Sequence, residues 1–411
     1  MRIFVFVPQI PYPAKSGGRI VTCPLVEELS RLHEVHLFTL THGEAEEKAG
    51  IDHFSNLCAG VYTAPGTSRI DIPVLGRSFF SRYPYKVHRF TSRELAQKAA
   101  RAAEKHPPDV IHCQNFYMAL YARDLAARCK VLYQENFETL LLERWCANAA
   151  NPILRRMIQI EARRTRNFEM ECPVWFDWLA TISGADEMHY RQAAEMFPGT
   201  RDLIHSRIVT VRPGIDLSYY TTRQEQSLSN PFPPRAMKNL VFTGMFGYEA
   251  NVDGAVWMVK EIMPLLEREN LSLWLVGQKP ADTVRALHNP PWIHVTGAVE
   301  DIRPYLHHAD LSVVPLRIGG GIRLKILEAL AMGCQVVSTP VGCEGLWSQE
   351  DPPVWSIAET PADFAESIRT CLHQEVDRAG LRRWVSERFS PTRFIDELTN
   401  LYSCSTLKST T

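Results

Sequence analysis

Pro315-Leu-Arg-Ile-Gly-Gly-Gly-Ile-Arg-Leu-Lys-Ile-Leu-Glu-Ala-Leu-Ala-Met-Gly333 is the stretch on which the reading of this chain turns. An apolar run ends near Pro315, three glycines follow, and a helical pattern runs to Met332 with Gly333 placed as its C-terminal stop. Strand, glycine loop and helix in that order belong to a buried parallel sheet. Within Leu324–Met332 the only polar side chains are Lys325 and Glu328, so the helix is apolar nearly all round and is expected to be buried. Its two charges lie on one face. Burying a charge is expensive unless it has a partner, and two readings stand open. In the first, Lys325 and Glu328 pair with each other. In the second, the glycines let the backbone approach a ligand and the first helical amides point at it. Arg323 and Lys325 then complete an anion site suited to a diphosphate, and Glu328 accepts hydrogen bonds from ribose hydroxyls. The second reading uses all the parts; a salt bridge uses two.

The same grammar extends in both directions. Ile3–Val7 and Glu34–Leu40 read as strands around a turn-rich loop, Pro8–Gly18, and a helical pattern, Val21–Leu32. Asp109–Cys113, Lys130–Tyr133, Trp178–Ile182 and Ile208–Val211 continue the series, with Ser183 as a helix N-cap. A polar, proline-rich stretch at 221–238 suits a linker. A second series follows: Asn239–Thr243, Leu271–Val276, Ile293–Thr296, Leu311–Pro315 and Gln335–Ser338, with Val354–Trp355 as a short strand. Two alternating halves predict two α/β domains, at 1–220 and 239–385, with a terminal segment at 386–411 able to cross back to the first. Leu381–Tyr402 reads as two helices broken at Ser390-Pro391.

The 411 residues exceed one ordinary core. A formal charge of −1 recruits neither nucleic acid nor an anionic surface by bulk attraction. Ten scattered cysteines, with no C-x-x-C and no zinc-like spacing, fit a reducing cytoplasm. The apolar run Ile3–Val7 is too short for a signal peptide, and no segment has the length of a membrane span. The segment Asn151–Phe168 carries Arg155, Arg156, Arg163, Arg164 and Arg166. It is either a solvated helix face or a basic amphipathic helix making peripheral contact with the inner face of a membrane.

These motifs resemble the retaining, two-domain (GT-B) glycosyltransferases of the large family 4. Gly319–Gly333 looks like their donor-binding helix; Val295-Thr-Gly-Ala-Val-Glu-Asp-Ile-Arg-Pro-Tyr-Leu306, Leu275-Val-Gly-Gln278, Val211-Arg-Pro-Gly-Ile-Asp216 and Pro11–Gly18 fall in the family's order. The resemblance implies an α/β fold of two Rossmann-like domains with parallel sheets facing across a cleft. It implies transfer of a sugar from a nucleoside-diphosphate sugar to a hydroxyl acceptor (glycan, glycolipid or small molecule), with retention, in polysaccharide or glycoconjugate biosynthesis. Donor contacts are then expected from Gly17, Gly18, Gly244, Gly277, Val299, Gly320, Gly321, Ile322, Leu324 and Glu328. Two departures matter: the first of the family's two acids falls at Gly320, and Met245 stands where an Arg would clamp phosphate. Phosphate neutralisation therefore rests on Arg323 and Lys325.

Catalysis of such a transfer needs charge stabilised on the departing phosphate. The chain has no Asp-x-Asp, so no metal and no cofactor beyond the donor is expected. His112 ends a strand where open α/β sheets present site residues; by resemblance it faces the sugar, and alternatively it is a hydrogen-bonded core histidine. Gln134, Glu135 and Asn136 follow the next strand and are expected on the acceptor side, with Glu135 assisting acceptor deprotonation. A nucleotide-sugar epimerase on the same fold and a catalytically inactive partner subunit are the competing readings.

Overall fold

The computed structural model describes residues 1–403 apart from 15–16, 68–70, 72–73, 75, 77, 79–80, 150, 216, 221–227, 235–236, 268 and 348–352. Much of the expected linker 221–238, Asp216 of the Val211–Asp216 motif, Lys15 and Ser16 of the Pro11–Gly18 loop and the last eight residues of 386–411 lie outside the described residues. The chain divides into two compact units, one of Met1–Ile215 with Phe389–Thr411 and one of Asp216–Arg388.

The first unit holds seven parallel strands: β1 (Arg2–Val7), β2 (Glu34–Thr41), β3 (Gly60–Pro65), β4 (Val110–Gln114), β5 (Cys129–Gln134), β6 (Trp178–Thr181) and β7 (Ile208–Thr210). Their order is β3-β2-β1-β4-β5-β6-β7. Ile3 to Val7 are wholly buried, which is why this strand reads as an unbroken apolar run rather than an alternating one. The edge strand β3 was not anticipated: it is mostly half-buried and ends on a proline, so it lacks the apolar signature of its neighbours. The helix Pro391–Ser403 belongs to this unit and packs on the helix Gly17–Leu32 and on β5.

Local chemistry sets the helix starts. Ser183 accepts the Asp186 amide, as its N-cap role requires, and Asn151 accepts the amides of Ile153 and Leu154 at the start of Pro152–Glu171. The buried Glu169 carboxylate receives the Glu138 and Thr139 amides at 2.9 and 3.0 Å, satisfying orphan donors at the start of the helix Glu138–Asn148.

The second unit holds β8 (Lys238–Thr243), β9 (Leu271–Val276), β10 (Ile293–Gly297), β11 (Leu311–Val314), β12 (Val336–Ser338) and β13 (Ser356–Ile357), all parallel, in the order β10-β9-β8-β11-β12-β13. The short strand expected at Val354–Trp355 lies two residues later; Trp355 instead packs edge-on against Trp384 at 5.2 Å. The helix Leu324–Ala331 follows β11, and Gly333 takes φ +71° just past its end, the left-handed position glycine fills without steric cost. In each sheet the strand order reverses once, between β1 and β4 and between β8 and β11. Ligand crevices form outside the carboxyl ends of strands at such points.

Candidate functional site

In the second unit the reversal brings Thr243-Gly244, after β8, beside the loop and helix that follow β11. Lys325 sits in the first turn of that helix and donates to Asn251 Oδ1 at 2.8 Å. Its ammonium also lies 4.5 Å from the centre of the Phe242 ring, a cation–π contact. Asn251 is held in turn by donating to the Met245 carbonyl at 2.9 Å. Any side chain at Gly244 would put a Cβ 3.0 Å from the Lys325 ammonium. Burial, with the neighbouring Arg323 guanidinium adding to it, pulls Lys325 down to about 7, against the opposing pull of Glu328.

Glu328, one turn on and buried, accepts a hydrogen bond from the Tyr220 hydroxyl at 2.8 Å. Burial pushes its carboxyl up, while the Tyr220 hydroxyl and Lys325 pull it down. Lys325 and Glu328 thus have separate partners and form no ion pair, which removes the simpler of the two readings. Arg323 caps the helix with an extended backbone. Its guanidinium lies over Gly319, where a Cβ would come within 1.8 Å of Nη2, and Gly319 and Gly321 take φ +142° and +70°. The three-glycine turn therefore accommodates the arginine as well as an open backbone. Ile322 and Leu324 flank the cap and are half-buried, and Gly320 and Gly321 lie in the same turn.

Gly277 has a structural task. At φ +150° its Cβ would fall 1.8 Å from the Gly244 carbonyl oxygen, so the loops after β8 and β9 pack backbone to backbone. Gly244 and Gly277 donate amides to Val276 and Gly297, lacing the three loops together. Val299 is half-buried in the loop after β10. Two residues further on, Asp301 pairs with Arg303 at 2.7 Å, and Arg303 covers the Tyr219 ring at 4.2 Å. Tyr219 and Tyr220 belong to the short helix Leu217–Tyr220, which lies in the second unit although the first domain was expected to run to 220.

In the first unit a pocket of ≈190 Å³ opens at the carboxyl ends of β1, β4 and β5. Gly18, Arg19, Thr22, Asn115 and Glu135 are among its lining residues. Gln114 donates to Glu135 Oε1 at 2.7 Å, and burial pushes the Glu135 carboxyl up against the donors that pull it down. Arg19, buried and paired with Glu44 at 2.5 Å, brings a cation to this pocket that sequence reading passed over.

The core takes two of the residues considered for the site. His112 takes the second of its two readings, a hydrogen-bonded core histidine: it is wholly buried, with Nε2 3.0 Å from Gln114 Oε1 and Nδ1 2.8 Å from the Tyr402 hydroxyl. Burial takes its pKa down to about 4, so the ring is neutral. Gln134 is likewise buried, receiving the Phe116 amide and donating to Tyr190. Gly17 and Gly18 form the first turn of the helix Gly17–Leu32 rather than the end of the loop Pro8–Gly18; a Cβ on Gly18 would meet Glu135 Oε2 at 2.9 Å. Glu135 keeps its place beside the pocket, and Asn136 is half-buried next to it.

The signals that reading along the chain missed are partners far apart in sequence. Asn251, Phe242 and Tyr220 hold Lys325 and Glu328 across 74 to 108 residues. Among the described residues, no group of His, Cys, Asp and Glu has the arrangement of a metal site, and no helix is long and apolar enough to cross a membrane.

Comparison with known proteins bears on this geometry. Residues 237–374 match the family model of glycosyl transferases group 1, and residues 16–169 match that of glycosyltransferase family 4. An uncharacterized 44.6 kDa protein in the cps region of Klebsiella pneumoniae is 23% identical over 408 residues, covering 96% of each chain. Among solved structures, a glycosyltransferase from Rickettsia africae ESF-5 superposes with TM-score 0.67 at 14% identity, over 100% of this chain and 99% of its own. Anabaena Alr3699/HepE in complex with UDP-glucose gives 0.62 at 14%, over 98% and 99%. WaaG, a glycosyltransferase involved in lipopolysaccharide biosynthesis, gives 0.58 at 17%, over 98% and 97%. At these identities the likeness establishes the fold: two parallel-sheet α/β domains, of seven and six strands, of the GT-B kind.

Proposed function

This chain is a glycosyltransferase of the group 1 and family 4 type, and on that premise we propose that it moves a hexose from a nucleoside-diphosphate sugar to a hydroxyl acceptor, with retention and without a protein-held metal ion. The observation that carries the proposal is the position of Lys325 at the strand-order reversal, beside Gly244 and in the first turn of the helix Leu324–Ala331. A diphosphate there receives Lys325, Arg323 and the helix amides; Glu328 receives the ribose hydroxyls.

In the transfer, the bond from the anomeric carbon to the diphosphate oxygen breaks and its electron pair leaves with the nucleotide. The acceptor oxygen bonds to that carbon and its proton departs to a base. Lys325 and Arg323 stabilise the charge on the leaving group. Glu135, whose carboxyl is pushed up by burial, is the group we assign to the acceptor proton. Three arguments support the choice of substrates. UDP-glucose is the ligand of the Anabaena neighbour, the Klebsiella relative lies in a cps region, and WaaG acts in lipopolysaccharide biosynthesis. These favour a nucleotide hexose and a surface-polysaccharide or glycolipid acceptor. The matched families are glycosyltransferases, which does not favour the epimerase reading.

The test is a thermal-shift screen of the whole protein against UDP, GDP, ADP and dTDP sugars, because a ligand that binds only the folded state raises its melting temperature. One nucleotide class is expected to stabilise the protein, and transfer with that donor is expected to survive EDTA. No shift with any nucleotide sinks the proposal.

A further inference from the structure

Four polar side chains of the first unit form one hydrogen-bonded line. The Tyr402 hydroxyl lies 2.8 Å from His112 Nδ1, His112 Nε2 lies 3.0 Å from Gln114 Oε1, and Gln114 Nε2 donates to Glu135 Oε1 at 2.7 Å. Tyr402, His112 and Gln114 are wholly buried. The line starts on the helix Pro391–Ser403 and passes through two residues on one face of β4. It ends on an acid of the pocket at the carboxyl ends of β1, β4 and β5.

The donors all point one way. An ionised carboxylate only accepts, so the Gln114 amide turns its NH2 to Glu135 and its oxygen to His112. That oxygen requires a proton on His112 Nε2, and the neutral ring then accepts at Nδ1 from the Tyr402 hydroxyl. Burial, which takes His112 down to about 4, keeps the ring in the neutral form that the line needs; an imidazolium would donate at both nitrogens. Donors aligned in this way polarise one another toward the carboxylate.

Packing alone does not account for the line. The end of the helix is fixed without it: Arg128 reaches the Tyr402 carbonyl at 3.4 Å, and the Cys129 thiol donates to the Leu401 carbonyl at 3.6 Å. Apolar side chains of the same shape would fill this core at little cost, since replacing both partners of a buried hydrogen bond is nearly neutral. A polar line that ends on a pocket acid sets the state of that acid. Burial favours the neutral form of Glu135 and Glu138 adds to this, while Gln114 leads the donors that oppose it, ahead of Asn115 and Thr22. Thr22 Oγ1 stands 3.5 Å from Glu135 Oε1, and Oε2 lies beside Gly18.

We propose that Tyr402, His112 and Gln114 are positioning residues that hold Glu135 as a carboxylate with Oε1 fixed, so that the helix Pro391–Ser403 sets the proton affinity of the pocket acid. They touch no reacting atom. Their effect on the rate of transfer rests on the assignment of the acceptor proton to Glu135; their effect on Glu135 itself does not. The other titratable or charged groups around Glu135 are Glu138, which pairs with Lys86, the hydroxyls of Tyr117 and Tyr133, and Arg19 with its partner Glu44. At the far end Cys129 faces Tyr402, and Asp186 and Glu397 act on Tyr133. None of these is altered by the substitutions that test the relay.

Infrared difference spectroscopy of the full chain over a pH series tests it, each protein being measured against its own Glu135→Gln counterpart to isolate the Glu135 carboxyl band. Gln114→Leu should raise the Glu135 midpoint by about one pH unit or more. Tyr402→Phe, which removes one oxygen at the far end, should raise it by about half a unit, and His112→Leu by at least as much. His112→Gln should keep the wild-type midpoint, because the amide oxygen accepts from Tyr402 while the NH2 donates to Gln114. Far-UV circular dichroism checks that each variant is folded. Tyr402→Phe and His112→Leu titrations that superimpose on wild type overturn the proposal even where Gln114→Leu moves the midpoint, because Gln114 would then act alone. The acid limb of the transfer rate should follow the infrared midpoint with donor KM unchanged. A limb that stays in place while the midpoint moves removes Glu135 from the acceptor proton and leaves the relay standing.

Discussion

The Tyr220 hydroxyl donates to Glu328 Oε1 at 2.8 Å, with both side chains buried, and so fixes the carboxylate proposed to receive the donor ribose. Removing the hydroxyl in Tyr220→Phe deletes one hydrogen bond to a charged group, about 1.5–3 kcal/mol in typical cases. Donor KM should rise by roughly tenfold or more with kcat little changed. Glu328→Ala should weaken donor binding further and leave the protein folded. Loss of folding in circular dichroism would show that Glu328 serves the core instead.

Lys325 touches the leaving group in the proposed reaction. Lys325→Ala should reduce transfer by about two or more orders of magnitude, the usual effect of losing one stabiliser of developing charge. Asn251→Ala, which frees the ammonium from its 2.8 Å partner, should cause a smaller loss, because the charge remains but its position relaxes. Unaltered turnover in Lys325→Ala rules out the role assigned to it.

Donor binding should depend on pH through the same residue. Burial and Arg323 bring Lys325 down to about 7 before a ligand arrives, and a diphosphate favours its charged form. Affinity should be full below pH 7 and weaken by up to about tenfold per pH unit above it, until the pKa of the bound state is reached. Lys325→Arg should flatten the profile, since a guanidinium stays charged. A titration series in which wild type and Lys325→Arg give parallel profiles from pH 6 to 9 would contradict this.

His112 predicts a stability effect rather than a catalytic one. Glu135 accepts from Gln114, Gln114 Oε1 accepts from His112 Nε2, and His112 Nδ1 is left to accept from Tyr402. The folded ring is neutral with a pKa of about 4, below the usual value near 6.5. The unfolded chain therefore binds the proton first as pH falls. Stability associated with this group is complete above about pH 6.5 and is lost as pH falls toward 4, by about 3 kcal/mol in all. Urea midpoints measured across that range should fall less steeply in His112→Gln than in wild type. Parallel curves would refute the assignment.

Much of the architecture was legible from pattern alone. Ile3–Val7 and Leu271–Val276 read as buried strands because parallel strands covered on both faces are continuous apolar runs. Gly333 read as a helix stop because φ +71° suits glycine. The edge strand Gly60–Pro65 was invisible because an edge needs no such run. The proposed anion site draws on Gly319, Arg323 and Lys325, which are close in sequence and so could be considered together from the start. What positions it was not: Asn251 and Tyr220 lie 74 and 108 residues from their partners. The two readings of His112 could not be separated along the chain for the same reason. Its position at the end of β4 suggested a site, while the Tyr402 that seals it comes from a helix 290 residues away.

The most direct measurement of the central claim is calorimetric titration of the nucleoside diphosphate that stabilises the wild type, into wild type and Lys325→Ala at neutral pH without added metal. Saturable one-site binding to the wild type is expected, with affinity at least about tenfold weaker in the folded variant, the scale of one lost charge-assisted hydrogen bond. Equal affinity in the two proteins would contradict it, because the diphosphate would then lie elsewhere than at Gly319–Gly333.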